Sequence, residues 1–209
     1  MSDSNPSSKR GILVAIEGID GCGKSTLVRA LGAALEERGI AHNLTAEPTQ
    51  GKYGKEIRGL AEKGREGVSV EDETRLFVED RREHVRDLIA PALAAGKVVI
   101  TDRYYFSTMA YQGARGADPA AIENENLEFA PRPDLLVLLR LPVDEALLRI
   151  QESRGDTPDH FEGEAYLRGV AEIFETVKGT NLMRVDATHT THTMRDEIMA
   201  ALLPILESR

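Results

Sequence analysis

The stretch Gly18-Ile19-Asp20-Gly21-Cys22-Gly23-Lys24-Ser25 decides how the rest of the chain reads. It fits G-x-x-x-x-G-K-[ST], a glycine-rich loop whose backbone N–H groups wrap the phosphates of a nucleotide. Glycine supplies the unusual backbone angles and lets the main chain approach the anion closely. In this pattern Lys24 reaches the outer phosphates and the Ser25 hydroxyl holds a Mg2+ ion. Gly18 through Thr26 is therefore the expected phosphate-binding segment. The helix that follows points its positive N-terminal end at the same charge.

The flanks supply the setting the motif requires. Gly11-Ile12-Leu13-Val14-Ala15-Ile16 is a short apolar run with β-branched residues, the pattern of a buried parallel strand. Thr26 to Leu35 has helical periodicity, with Leu27, Leu31, Ala34 and Leu35 on one face and Gly39 as a stop. A glycine-rich turn with a surface lysine would need neither flank. Cys22 sits near the helix N-terminus, where a thiolate is favoured. As a variable position of the motif it reads as a small loop filler rather than a catalytic thiol.

Composition narrows the class. The chain has 209 residues, a formal net charge of −9 and one cysteine. That length suits one domain, expected over residues 11–209, behind a polar N-terminal tail over residues 1–10. A single cysteine excludes an internal disulfide and fits a cytoplasmic location. No apolar run approaches the length of a bilayer span, so no membrane partner is expected. The acidic balance shows no basic face for nucleic acid, so an anionic substrate must be caught by local arginines.

Further along, strand-like runs alternate with helical ones, the signature of a doubly wound α/β fold with helices on both faces of a parallel sheet. Five strands are expected, at residues 11–16, 43–46, 97–102, 134–139 and 182–186. Glu47-Pro48-Thr49-Gln50-Gly51 follows the second as a loop. A long helix is expected over 70–95, kinked by Pro91 and ended by Gly96. On it Phe77 and Arg81 share a face; by spacing alone they read as a core phenylalanine and a solvated arginine. Asp102 ends the third strand, placed to act on Mg2+ or to cap the next helix. Arg103 follows where phosphates would lie. Tyr104 to Gly113 carries three tyrosines, Ser107, Thr108 and Gln112, a helical stretch too polar for simple core and suited to reading a nucleoside. Residues 154–163 form a polar, hinge-rich segment read as a lid that excludes water from the phosphates. His189 and His192 read as loop residues, not as a metal site.

Several stretches together resemble the thymidylate kinases, a family of P-loop nucleoside monophosphate kinases. They are Ile16-Glu17-Gly18 through Thr26, Glu47-Pro48, Leu76-Phe77-Val78-Glu79-Asp80-Arg81, and Pro131-Arg132-Pro133-Asp134. The most specific is Asp102-Arg103-Tyr104-Tyr105-Phe106-Ser107-Thr108-Met109-Ala110-Tyr111-Gln112, similar to the family's D-R-Y-x-x-S-x-x-A-Y-Q. The resemblance implies ATP-dependent phosphorylation of dTMP to dTDP, Mg2+, and a homodimer of packed helices. It places Lys24, Asp102, Arg103 and Arg154 in catalysis, and Ser25 and Asp102 on the metal. The acceptor nucleotide falls to Asp20, Glu47, Phe77, Arg81, Arg103, Ser107, Thr108, Tyr111 and Gln112. Within that set Phe77 would stack on thymine, Arg81 and Thr108 would meet the base edge, and Tyr111 would lie under the deoxyribose.

Three positions depart from the family pattern. Ala46 stands where arginine often precedes the E-P loop, and Gly21 where one branch has a loop arginine. In the lid, Asp159-His160-Phe161-Glu162 replaces an Asp-Arg pair, leaving Arg154 and Arg149 as the candidate lid cations. A kinase of another nucleoside monophosphate or of a deoxynucleoside is the alternative. A GTP switch is disfavoured, because N-K-x-D, the guanine-reading motif, is missing from the sequence. A phosphate-binding module without turnover is weaker still.

Overall fold

A computed structural model describes residues 10–64, 67–154 and 163–208; of residues 153 and 154 only the backbone is described. The expected N-terminal tail and the lid, with Asp159 and His160, therefore lie outside the described residues, except Arg10, Gly163 and the backbone of Arg154. The architecture is one five-stranded parallel sheet in the order β2-β3-β1-β4-β5. Its strands are β1 (Ile12–Gly18), β2 (His42–Ala46), β3 (Val98–Asp102), β4 (Leu135–Arg140) and β5 (Leu182–Asp186). All five expected strands are present, within two residues at each end. Every residue of β1 and β3 is buried. Successive strand residues point to opposite faces, so both faces of the sheet are covered.

The covering helices are α1 (Lys24–Glu36), α2 (Lys52–Lys63), α3 (Val70–His84), α4 (Ala90–Ala94), α5 (Tyr105–Gly113), α6 (Pro119–Leu127), α7 (Val143–Arg154), α8 (Glu164–Thr176) and α9 (Thr191–Glu207). Leu27, Leu31, Ala34 and Leu35 of α1 are buried, as their periodicity predicts. α1 packs on the sheet and on α9, while α5 packs on α3, α6 and α8. Ser69 caps α3, its hydroxyl accepting from the Asp72 N–H, and three acidic residues fill that first turn.

The long helix predicted over 70–95 is continuous but changes pitch. Between α3 and α4, Val85–Ile89 forms a π turn, in which the Ala90 N–H bonds the Val85 carbonyl five residues back. Pro91 lies just beyond. It has no N–H to give and its ring crowds the carbonyl four residues earlier, so a widened turn absorbs the mismatch that was expected as a kink. His192 falls on the first turn of α9 rather than in a loop, 3.1 Å from Asp196.

Register brings the site together. Ile16 of β1 and Ala46 of β2 both lie opposite Asp102 of β3. The glycine-rich loop after β1, the Glu47 loop after β2 and Arg103 after β3 thus leave one edge of the sheet side by side. That carboxyl edge is where open α/β sheets bind ligands.

Candidate active site

At the end of β1 the chain turns through Gly18, Gly21 and Gly23 at φ 142°, 82° and 90°. Side chains would fail here for two separate reasons. A Cβ on Gly18 would sit 2.6 Å from the Leu139 carbonyl oxygen, and one on Gly21 2.6 Å from that of Ala146. At Gly23 nothing is near, and only the backbone angle is at stake. Lys24 is buried beneath the loop, its Nζ 2.9 Å from both the Gly18 and Ile19 carbonyls and 3.8 Å from Asp20. Cys22 is fully buried, and burial pushes its thiol pKa up against the pull of Lys24. The sequence context favoured a thiolate; burial reverses that, and the loop-filler reading stands.

Two consecutive residues, Asp102 and Arg103, meet this loop from β3. The Ser25 hydroxyl donates to Asp102 Oδ2, and Asp102 Oδ1 is buried with no hydrogen-bond partner among the described residues. Asp102 does not cap α5, whose N-cap is Tyr104. The cap comes instead from Glu17, whose Oε1 accepts from the Tyr104 and Ser107 N–H groups at 2.8 and 3.1 Å. Arg103 has φ 71°, the only positive φ outside glycine among the described residues. Its guanidinium forms an ion pair with Asp20, donates to the Ser107 hydroxyl at 3.2 Å and lies 4.9 Å from the Tyr111 ring centroid. Burial lowers the Arg103 pKa, but Asp20, with Tyr111 and Asp102, outweighs it and raises the pKa overall. A cavity of about 630 Å³ opens here, walled by Lys24, Ser25, Asp102, Arg103, Ala46 and Arg149.

Deeper in, Arg81 and Glu47 build a buried cluster. Arg81 Nε and Nη2 lie 2.8 and 2.7 Å from Glu47 Oε2. Its Nη1 donates to Asn126 Oδ1 at 2.7 Å and its Nη2 to the Thr108 hydroxyl at 3.0 Å. His84 completes the set, its Nδ1 3.0 Å from Glu47 Oε1 and its Nε2 2.7 Å from the Thr45 hydroxyl. A carboxylate only accepts, so Nδ1 carries a proton. Arg81 is 1 % exposed, against the solvated arginine that spacing alone suggested. Phe77, one turn earlier, is only half-buried, against the core reading. The pair has the roles of inside and outside reversed.

The remaining sequence candidates divide. Thr108 and Gln112 are buried, Gln112 accepting from Arg115 at 3.2 Å. Tyr111 is partly exposed, while its hydroxyl oxygen is buried beside Arg103. Burial drives its pKa well up. Tyr104 and Tyr105, grouped by their polarity with a nucleoside-reading helix, are fully buried core residues instead. The Tyr104 hydroxyl reaches the Pro131 carbonyl at 3.1 Å, a partner that sequence does not reveal. The Arg154 side chain lies outside the described residues, whereas Arg149 lines the cavity and bonds the Ala187 carbonyl at 3.1 Å. Sequence reasoning missed Glu17, His84 and Asn126 as parts of the site. Only Glu17 left a trace, standing beside Gly18 at the end of an apolar strand.

The chain matches the thymidylate kinase family over residues 16–198. The chain belongs to the thymidylate kinase family. Its relatives include thymidylate kinases from Akkermansia muciniphila, 50 % identical over 86 % of this chain and 85 % of the relative. Those from Xanthomonas campestris pv. campestris and Desulfotalea psychrophila are 45 % and 40 % identical over 95 % and 96 % of this chain. They are themselves covered over 86 % and 98 % of their lengths. The sheet and its glycine-rich loop agree with the P-loop fold that the sequence implied.

Proposed function

We propose that the reaction, ATP-dependent phosphorylation of dTMP to dTDP, is divided between the two ends of this cleft. At the donor end, the amides from Gly18 to Thr26 cradle the ATP phosphates. Lys24 leaves the loop carbonyls to meet the outer ones. At the acceptor end, Phe77 stacks on thymine while Arg81 and Thr108, backed by Glu47 and Gln112, meet the base edge. Tyr111 packs under the deoxyribose. Asp20 and Ser107 aim Arg103 at the acceptor phosphate. Phosphoryl transfer asks the protein mainly to align two anions and offset developing charge, and arginines supply that. Arg149 and Arg154 are the cations available from the lid side.

Ser25 and Asp102 would hold Mg2+. The unpartnered Oδ1 of Asp102 beside a hydroxyl suits a hard cation that keeps most of its waters and takes few protein oxygens. Bound there, the ion would neutralise charge on the transferring phosphoryl group. Residues 11–209 act as one domain, in a cytoplasmic homodimer.

The observation that carries the assignment is the adjacency of Asp102 and Arg103. One touches Ser25 of the donor loop and the next pairs with Asp20. A Mg2+ titration of Ser25→Ala and Asp102→Asn tests it. Both variants should need at least tenfold more Mg2+ for half-maximal ADP release. An unchanged requirement in both would remove the metal assignment.

A further inference from the structure

Arg103 is a bulky residue in the left-handed region, where a Cβ crowds the following carbonyl and strains the backbone. Such a conformation persists only where neighbours over-determine it. Three contacts do so here. The Arg103 N–H bonds the Ile16 carbonyl at 3.0 Å. The Thr101 hydroxyl donates to the Arg103 carbonyl at 2.7 Å. One residue on, the Tyr104 N–H donates to Glu17 Oε1 at 2.8 Å.

Glu17 also reaches the guanidinium. Its Oε2 lies 2.5 Å from the Ser107 hydroxyl, which accepts from Arg103 Nη1. A fully buried carboxyl is costly, and burial pushes Glu17 up to about 7, so the fold retains it at a stability penalty. An apolar side chain would avoid that penalty but would leave the Tyr104 and Ser107 N–H groups without their acceptor. Nothing in the P-loop chemistry uses this group.

We propose that Glu17 and Thr101 are positioning residues that clamp the Arg103–Tyr104 peptide, Thr101 at its carbonyl and Glu17 at its N–H, so that the Arg103 guanidinium is presented at the acceptor phosphate. The end of β1 thereby serves both substrates. Gly18 opens the loop for ATP, and Glu17, the residue before it, sets the arginine for the acceptor. This rests on the assignment of Arg103 to the acceptor phosphate. What matters in Glu17 is an acceptor oxygen for two N–H groups, which glutamine also provides.

The test compares Glu17→Met, Glu17→Gln and Thr101→Val, alone and combined with Arg103→Ala. Glu17→Met and Thr101→Val should each lower kcat/KM for dTMP ten- to about a hundredfold, the scale of a misplaced catalytic group. ATP affinity should stay within about twofold of wild type, because the loop amides are untouched, and Glu17→Gln should recover most of the loss. In the Arg103→Ala background neither substitution should lower the residual rate further. A residue that only stabilised the fold would shift the melting temperature and leave kcat/KM of the folded protein alone. Folded Glu17→Met with wild-type kcat/KM overturns the proposal, as does a loss that adds fully to that of Arg103→Ala. If Glu17→Met does not fold, Thr101→Val decides by the same criteria. Arg103→Ala with normal activity would instead remove the assignment of Arg103 itself.

Discussion

In the proposed reaction, phosphate meets main chain at one end of the cleft and side chains at the other. Residues 18–25 shape the donor end from one contiguous run, with three glycines at positive φ and a lysine folded beneath them. The acceptor end is assembled from Glu47, Arg81, Thr108 and Asn126, which lie on different elements and are separated by 27 to 45 residues in the Arg81 contacts. The first depends on backbone angles and close approach. The second depends on burying a charged pair whose partners must all arrive together. Substitutions at the two ends should therefore fail differently, one in nucleotide handling and the other in stability.

The largest effect is expected where the ends meet. Arg103→Ala removes charge without removing core, so turnover should fall about a thousandfold or more while the melting temperature changes little. A near-normal rate would break the division of labour. Next comes Glu47→Ala, which strands the buried Arg81 and should destabilise the fold by about 3–5 kcal/mol in urea unfolding. A loss under about 1 kcal/mol would mean that the cluster is not the rigid body its hydrogen bonds describe.

Between the ends sits Glu17, and its charge gives a pH signature. Its carboxyl holds a proton up to about 7 in the fold, against 4.5 ordinarily. Between those values the folded state binds more protons than the unfolded one, so stability falls as pH rises from about 4.5 to 7. Relative to Glu17→Gln, the wild type should lose about 3 kcal/mol across that window. Unfolding curves at pH 4.5 and 8 check this, and a constant difference would contradict it.

Smaller effects sharpen the contrast. Tyr111→Ala should reduce discrimination against ribonucleotide acceptors about tenfold, the scale of one lost packing contact, measured as a ratio of kcat/KM values. Gly23→Ala has space for its methyl but not the angle, and should cost about 1 kcal/mol of stability. A larger loss would point to a contact at Gly23 beyond backbone strain.

Legibility in the sequence follows the same divide. The glycine-rich loop was readable because its requirements are local, a turn, a close approach and a helix start within a dozen residues. The three central strands were readable because burial on both faces leaves largely apolar runs such as Leu135–Leu139. Arg81 was not, since its burial depends on Asn126 and Glu47, which only the tertiary fold brings to it. Tyr104 and Tyr105 misled for the converse reason. Their hydroxyls look polar in a sequence, yet both residues are buried in the core. The family resemblance supplied the Phe77–Arg81 pair that spacing alone would have dismissed. Glu17 escaped because a carboxylate at a strand end looks like a loop residue until the helix it caps is seen.

In the proposed reaction, one cleft joins an ATP loop to a dTMP site. A coupled ADP-release assay with ATP and Mg2+ tests it most directly, across dTMP, dUMP, the other deoxynucleoside monophosphates and thymidine. Selective turnover of dTMP, abolished in Arg103→Ala, is the predicted result. Equal or better turnover of a different acceptor, or ADP release that ignores the acceptor, would contradict it.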